Sequence, residues 1–464
     1  MKNKVALFLI ILFSSIVIGN ILNFIPYNYD LFLHFKNNGR WYNKLKDVPF
    51  FEFVLKEEGL SFENYFLSSA ERIEKEYGYE KEVLLTSIAS DIVFAAKGVT
   101  LTLDEMVSFD INYYLDILKV LTRDSIVVFE TDKGVLFINY LARLLGLEIK
   151  QEQEVYILSE SLYSKVVENY VVIAGSKQAL DYCINVYKTP ELQMKEKISN
   201  IINNVEQGDY WITGYSKGDA IKIEMGLSKE NDEKTEYVIL TGTVENSVFK
   251  LNISQKMETE RPPTKTEDLM ETIPVLGNYF AGISVKESMD VVQIFSDWVS
   301  GYGDELYKFY DIANTVLKNA TSTFYIVGDL SESTEVSVAF LFKLSDGLDN
   351  IDSVIKKYAG YYDDKTGQWI IPISENSNLY FYKFEKFFVV SNISKEIYAK
   401  KSSNKRLMNI PAYNYLDKKR NYLLKVFIDI GDIVKKFLGI NLNSKLIFWQ
   451  ERDGYFVNYY IEVM

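Results

Sequence analysis

The sequence predicts an α+β protein in which an N-terminal transmembrane helix is followed by two diverged tandem modules. Each module is expected to be a largely antiparallel sheet with helices packed on one face. Three observations predict this: a basic start followed by an unbroken apolar run, four stretches that recur in the same order in both halves, and alternating runs joined by tight turns.

The chain has 464 residues, more than one small core accommodates, and length alone suggests roughly two to three domains of about 150 residues each. Apolar residues make up 48% and charged residues 25%, enough apolar surface to bury sizeable cores. A formal net charge of -13 argues against nucleic acid and anionic headgroups as partners, because phosphate recognition needs clustered Lys and Arg. Cysteine and histidine each occur once, as Cys183 and His34, so one chain can form neither an internal disulfide nor a Cys/His zinc site. No cysteine follows the first segment to carry a lipid anchor.

Lys2 and Lys4 precede Val5-Ala-Leu-Phe-Leu-Ile-Ile-Leu-Phe-Ser-Ser-Ile-Val-Ile-Gly19, the basic and apolar regions of an export signal. Continued through Asn20-Ile-Leu-Asn-Phe-Ile25, the run reaches the ~20 residues that span a bilayer as a helix. Val17-Ile18-Gly19 is a mediocre cleavage site. Residues 1–25 are therefore expected to be an uncleaved signal anchor at the cell membrane, single-pass, with the N-terminus inside and the bulk of the chain extracytoplasmic. Secretion after cleavage is the alternative.

Comparison of the chain with itself yields the module boundaries. Ser159–Gly175 matches Asn376–Asn392 at a constant offset of 217, so that Tyr163 meets Tyr380, Glu168 meets Glu385, and Tyr170 meets Phe387. Each stretch is followed by Ser-Lys and a helical run. Phe129-Glu-Thr-Asp-Lys-Gly134 aligns with Phe342-Lys-Leu-Ser-Asp-Gly347, and Ile25-Pro26 with Ile273-Pro274. Each half closes on a hairpin, with turns at Glu245-Asn246 and Asp453-Gly454. The expected division is a first module over 26–256, a linker over 257–272 marked by Pro262-Pro263, and a second module over 273–464. Alternation in Ser125–Glu130 and Thr334–Phe342 implies sheets with one buried face.

Gly301-Tyr302-Gly303 is followed by Leu306 where a dinucleotide loop needs a third glycine, and no phosphate-binding P-loop or G-x-S-x-G elbow occurs. His34, in Leu31-Phe-Leu-His-Phe35, reads as a strand residue, surface or interior. Cys183 sits in a helical run and reads as a small buried hydrophobe. Asp346, Asp349 and Asp352 are the candidate metal ligands, since a spacing of three places them near one helix face. At a strand-to-helix junction the same acids serve as cap and first-turn residues, and that reading is preferred. Asp363-Asp-Lys-Thr-Gly367 reads as a hairpin turn. No catalytic residue, cofactor or nucleotide site is expected.

The Ile25-Pro26 entry, the Val171-Val-Ile-Ala-Gly-Ser-Lys177 and Val389-Val-Ser-Asn-Ile-Ser-Lys395 junctions, and the duplicated halves together resemble bacterial envelope proteins of unknown function. Those carry an N-terminal anchor and a large duplicated α+β extracytoplasmic region. The resemblance implies location and fold class and brings no catalytic residues. A non-enzymatic scaffold or interaction role follows, with the membrane and other envelope proteins as partners. A carrier or sensor for an apolar or lipid-like ligand held between sheet and helices is the second expectation. A carboxylate-dependent hydrolase is the third.

Overall fold

A computed structural model describes residues 21–56, 59–98, 101–102, 124–159, 161–222, 234–261, 272–284, 320–329, 337–344, 351–374, 377–403, 405–409 and 423–464. The chain divides into two compact units: Met1–Ile223 with Lys234–Glu258, and Thr259–Val463 with Glu224–Glu233. Nineteen of the described strands belong to antiparallel ladders, and one two-residue pair, Leu101–Thr102 with Ile221–Lys222, is parallel.

The strands of unit 1, in chain order, are β1 (Leu31–Phe35), β2 (Ile92–Ala96), β3 (Leu101–Thr102), β4 (Ser125–Glu130), β5 (Lys150–Glu152), β6 (Val155–Ser159), β7 (Leu162–Val167), β8 (Tyr170–Ala174), β9 (Ile212–Lys217), β10 (Ile221–Lys222), β11 (Thr235–Glu245) and β12 (Val248–Arg261). The helices are α1 (Asn38–Leu45), α2 (Pro49–Leu55), α3 (Phe62–Tyr77), α4 (Lys81–Ile88), α5 (Gly134–Leu145), α6 (Lys177–Tyr187), α7 (Met194–Lys197) and α8 (Ser199–Glu206). Hydrogen bonding orders the sheet β5-β6-β7-β8-β4-β2-β1-β9-β11-β12.

Helices cover this sheet on both faces, not one. Phe32, Val93, Ile126, Val128, Val172 and Ala174 face a core closed by α6, α7 and α8, while Ile92, Phe129, Val171 and Ile173 face a second core closed by α3, α4 and α5. The cause is visible in the strands. All five residues of β2 (Ile-Val-Phe-Ala-Ala) and of β8 (Tyr-Val-Val-Ile-Ala) are buried, and a strand apolar on both sides must be covered on both sides. The helices meet the sheet closely. A Cβ on Gly134, the first residue of α5, would lie 2.8 Å from Val166 Cγ1, so a larger residue there would push the helix off the strands.

The anchor expectation is also corrected. Met1–Asn20 lie outside the described residues, and among the described residues no helix is long and apolar enough to cross a membrane. Ile21–Phe24 form a short 3₁₀ turn instead of a helical extension. Ile21, Phe24 and Ile25 are at most 1% exposed and pack into the core beneath α6. Phe24 stacks on Tyr187 at 4.2 Å between ring centres. Burying such a side chain contributes about 1.5–3 kcal/mol to this unit, which commits these residues to the fold and not to lipid.

In unit 2 the strands are β13 (Tyr279–Ser284), β14 (Ala320–Asp329), β15 (Ser337–Leu344), β16 (Tyr361–Asp363), β17 (Gln368–Ser374), β18 (Ser377–Phe384), β19 (Phe387–Ser391), β20 (Leu424–Ile428) and β21 (Leu446–Val463). The described helices are α9 (Ile351–Lys357), α10 (Lys395–Lys401) and α11 (Ile430–Leu438). The order is β16-β17-β18-β19-β15-β14-β13-β20-β21. Trp449 stacks on Tyr460 at 4.6 Å, so β21 doubles back around Gly454. Position by position this is the ladder of unit 1.

Registers agree as well as order. Tyr163 pairs with Ala174 and Tyr380 with Ser391, both displaced by 217. The turns between these strands carry Glu168 and Glu385, each at φ 53°, a left-handed conformation uncommon outside glycine and asparagine. Ser176 Oγ caps α6 by accepting from Ala179 N at 3.1 Å, and Ser394 Oγ caps α10 from Ile397 N at 3.4 Å. The Ile-Pro pairs enter alike: Met194 N donates to Ile25 O, and Leu407 N to Ile273 O. β12 continues through Met257–Arg261, where the linker was expected to begin.

Candidate functional site

The polar feature that stands out in unit 1 is built on β1. Alternation turns Leu31 and Leu33 to one face, with Phe94 and Ala96, and Phe32 and His34 to the other, beneath α8. Phe32 extends the apolar core and His34 ends it. The ring is 4% exposed.

Two carboxylates from distant elements hold it. His34 Nε2 lies 2.9 Å from Asp91 Oδ2, at the corner between α4 and β2, and Nδ1 lies 3.0 Å from Glu206 Oε2, the last residue of α8. Asp91 Oδ1 also accepts from Asn37 N at 3.3 Å. Glu206 Oε1 accepts from Thr213 Oγ1, and Lys36 Nζ stands 3.8 Å from Glu206 Oε2 while donating to the Glu206 carbonyl at 2.8 Å. The row therefore runs through β9, β1, β2 and the end of α8.

Electrostatics follow from this enclosure. Burial disfavours a charged imidazole, yet Glu206 and Asp91 outweigh it and raise His34 to about 9. Burial would likewise push Glu206 up, but His34, Lys36 and Thr213 bring it down to about 2. At neutral pH the ring is an imidazolium donating from both nitrogens. Neither nitrogen offers a lone pair to a metal or a substrate proton, so the arrangement fastens three chain segments together and is not set up as a general base.

Cys183, on α6, is fully buried, with its Sγ 3.8 Å from the Tyr29 hydroxyl, and burial pushes the thiol up to about 12. A thiol so raised is a poor nucleophile. Asp346 and Asp349 lie outside the described residues; Asp352 falls in α9, and its side chain is not described. Among the described residues no group of three or more His, Cys, Asp or Glu side chains is arranged to hold a metal ion. Asp363 closes the turn between β16 and β17 by accepting from Lys365 N at 3.1 Å and Thr366 Oγ1 at 2.6 Å.

Sequence reading placed His34 on a strand but did not bring Asp91 or Glu206 to it, because they lie 57 and 172 residues away. The available signal was a lone imidazole following Phe32 at the spacing of the buried face.

No protein-family model matches the chain, and no curated protein matches it. Among solved structures, crystal form I of TP0453 is similar with a TM-score of 0.27 and 12% identity, covering 52% of this chain and 81% of that chain. Form IV gives a TM-score of 0.30 at 11% identity, covering 51% and 79%. Form III gives 0.29 at 9%, covering 52% and 80%. TM-scores of this size assign neither fold nor function.

Proposed function

We propose that the chain is an exported, non-enzymatic binding or scaffolding protein that is released from its export segment. The observation that carries this reading is the burial of Ile21–Ile25. With those residues committed to the core of unit 1, the apolar run left over is Val5–Gly19, 15 residues. As a helix it would extend about 22 Å. The hydrocarbon core of a bilayer is about 30 Å thick, and an apolar stretch of this length behind Lys2 and Lys4 suits a signal peptide better than a spanning anchor. Val17-Ile18-Gly19 then lies just ahead of the buried Ile21, with Asn20 between.

The non-enzymatic part of the reading is supported by the side chains best suited to acid–base or nucleophilic work. His34 has both nitrogens engaged, and Cys183 is buried with a raised pKa. N-terminal sequencing of the native protein, cell fraction by cell fraction, tests the export reading. A new terminus between Gly19 and Ile21 in the soluble exported fraction is expected, and a membrane-held chain retaining Met1 would reverse it. Cross-linking in intact cells tests the binding role: adducts of defined mass support it, and turnover of a small substrate by the unadducted protein would overturn it.

A further inference from the structure

Glu130 ends β4 beside the His34 row and is not used by it. Its backbone N–H donates to the Asp91 carbonyl at 3.1 Å, and the β2–β4 register, Ile92 opposite Phe129, sets Glu130 next to Asp91. Alternation through Ile126 and Val128 turns its side chain to the face that carries Phe32 and His34. Glu130 Oε2 is buried and has no hydrogen-bond partner.

The charged groups around this corner are His34 on β1 and Lys36 just after it, Asp91 just before β2, Glu206 at the end of α8, and Glu130 on β4. Tyr170 of β8 stands opposite Glu130 in register. Two cations already balance two carboxylates. A third carboxylate, ionised, would add a half-buried negative charge beside Asp91, with its Oε2 shut from water and unpaired.

We propose that Glu130 is a proton-binding element of unit 1, neutral when the corner between β1, β2 and β4 is tightly closed, and that its ionisation loosens that corner. The direction of its titration agrees: burial first, then repulsion by Asp91, partly offset by His34, raises its carboxyl to about 7. A carboxyl raised in the folded state favours folding in its neutral form. The advantage is full below the unfolded value near 4.5 and is lost as pH rises through about 7. This step precedes that of His34, whose contribution is full below about 6.5 and is lost as pH rises from there through about 9.

The test is the melting temperature of the full chain between pH 4.5 and 6.5, below the range in which the His34 contribution is lost, for the wild type and for Glu130→Gln. Wild-type Tm should fall by about 3–6 °C over this range. Glu130→Gln should abolish the fall and melt higher than wild type at pH 6.5, whereas a slope unchanged in Glu130→Gln overturns the proposal. Should that variant not fold, hydrogen exchange of Ile92–Ala96 and Ser125–Glu130 in the wild type, corrected for intrinsic rates, decides the matter. About tenfold faster exchange at pH 6.5 than at pH 4.5 supports the proposal, and equal protection overturns it.

Discussion

Where the strand that opens each unit crosses the strand that follows the α6 or α10 layer, the two units solve one problem in opposite ways. In unit 1, His34 on β1 faces Thr213 on β9; in unit 2 the same register sets Gly282 on β13 opposite Lys425 on β20. Equivalence is fixed by the bonds at the strand ends, Lys217 N to Asp30 O and Asp429 N to Asn278 O. Each crossing buries one basic side chain, His34 at 4% exposure and Lys425 at 0%, but from opposite strands and beside a smaller neighbour. Likewise Phe129 and Phe342 are equivalent, so the next position is Glu130 in unit 1 and Lys343 in unit 2. The ladder is common to both units, whereas the acidic row around the imidazole belongs to unit 1. Backbone pairing tolerates this exchange because register depends on turns and apolar rows, while charge depends on which side chains happen to converge.

The comparison breaks most readily at the crossing itself. His34→Leu should destabilise unit 1 by about 3–5 kcal/mol, since Asp91 and Glu206 would be left buried without the cation between them. Urea unfolding followed by hydrogen exchange should show the loss in β1, β2 and α8 and leave β13–β20 protection unchanged. In the wild type, the stabilisation due to His34 should be full below about 6.5 and lost as pH rises through about 9. That due to Glu206 should be full above about 4.5 and lost as pH falls through about 2. A pH-independent unfolding free energy over pH 6 to 10 would show that the ring is not charged in the folded state.

A smaller effect is expected where α5 meets the strands. Gly134→Ala should cost about 1–3 kcal/mol, because the new methyl must displace Val166 and Val171, its neighbours at 2.8 and 3.2 Å. Thermal melting of that variant checks it.

The matched caps should respond alike. Ser176→Ala and Ser394→Ala should each cost about 1 kcal/mol, one in each unit, with the double variant additive. A loss confined to one of the two would mean that the shared cap geometry carries unequal weight. The least effect is expected from Glu168→Asn and Glu385→Asn, where asparagine suits the left-handed turn; each should lie within about 0.5 kcal/mol of wild type.

What could be read in the sequence was local. The stretches matched at offset 217 share a register, the Ser-Lys dipeptides that follow them start capped helices, and the Ile-Pro pairs enter through equivalent bonds, because turns and caps are specified by neighbouring residues. What escaped was set by distant residues. Hydropathy does not distinguish a bilayer from a protein core, so Ile21–Ile25 looked like the end of a span. β2 and β8 were not recognised as buried on both faces, which hid the second helical layer. The carboxylates at His34 are brought in by tertiary folding alone, and the candidate acids Asp346 and Asp349 fall where nothing is described.

The burial of Ile25 and Tyr29, near the start of the described residues, has a kinetic side. Ile25 waits for Met194 to complete its backbone bond, and Tyr29 meets Cys183, 154 residues further along. On the export route proposed above, a chain threaded out N-terminus first displays these apolar residues long before their partners emerge. Unit 1 cannot lock behind its own leading end while most of it is still on the near side. Such an order of events favours passage of an open chain and defers closure of the core until nearly the whole unit has crossed.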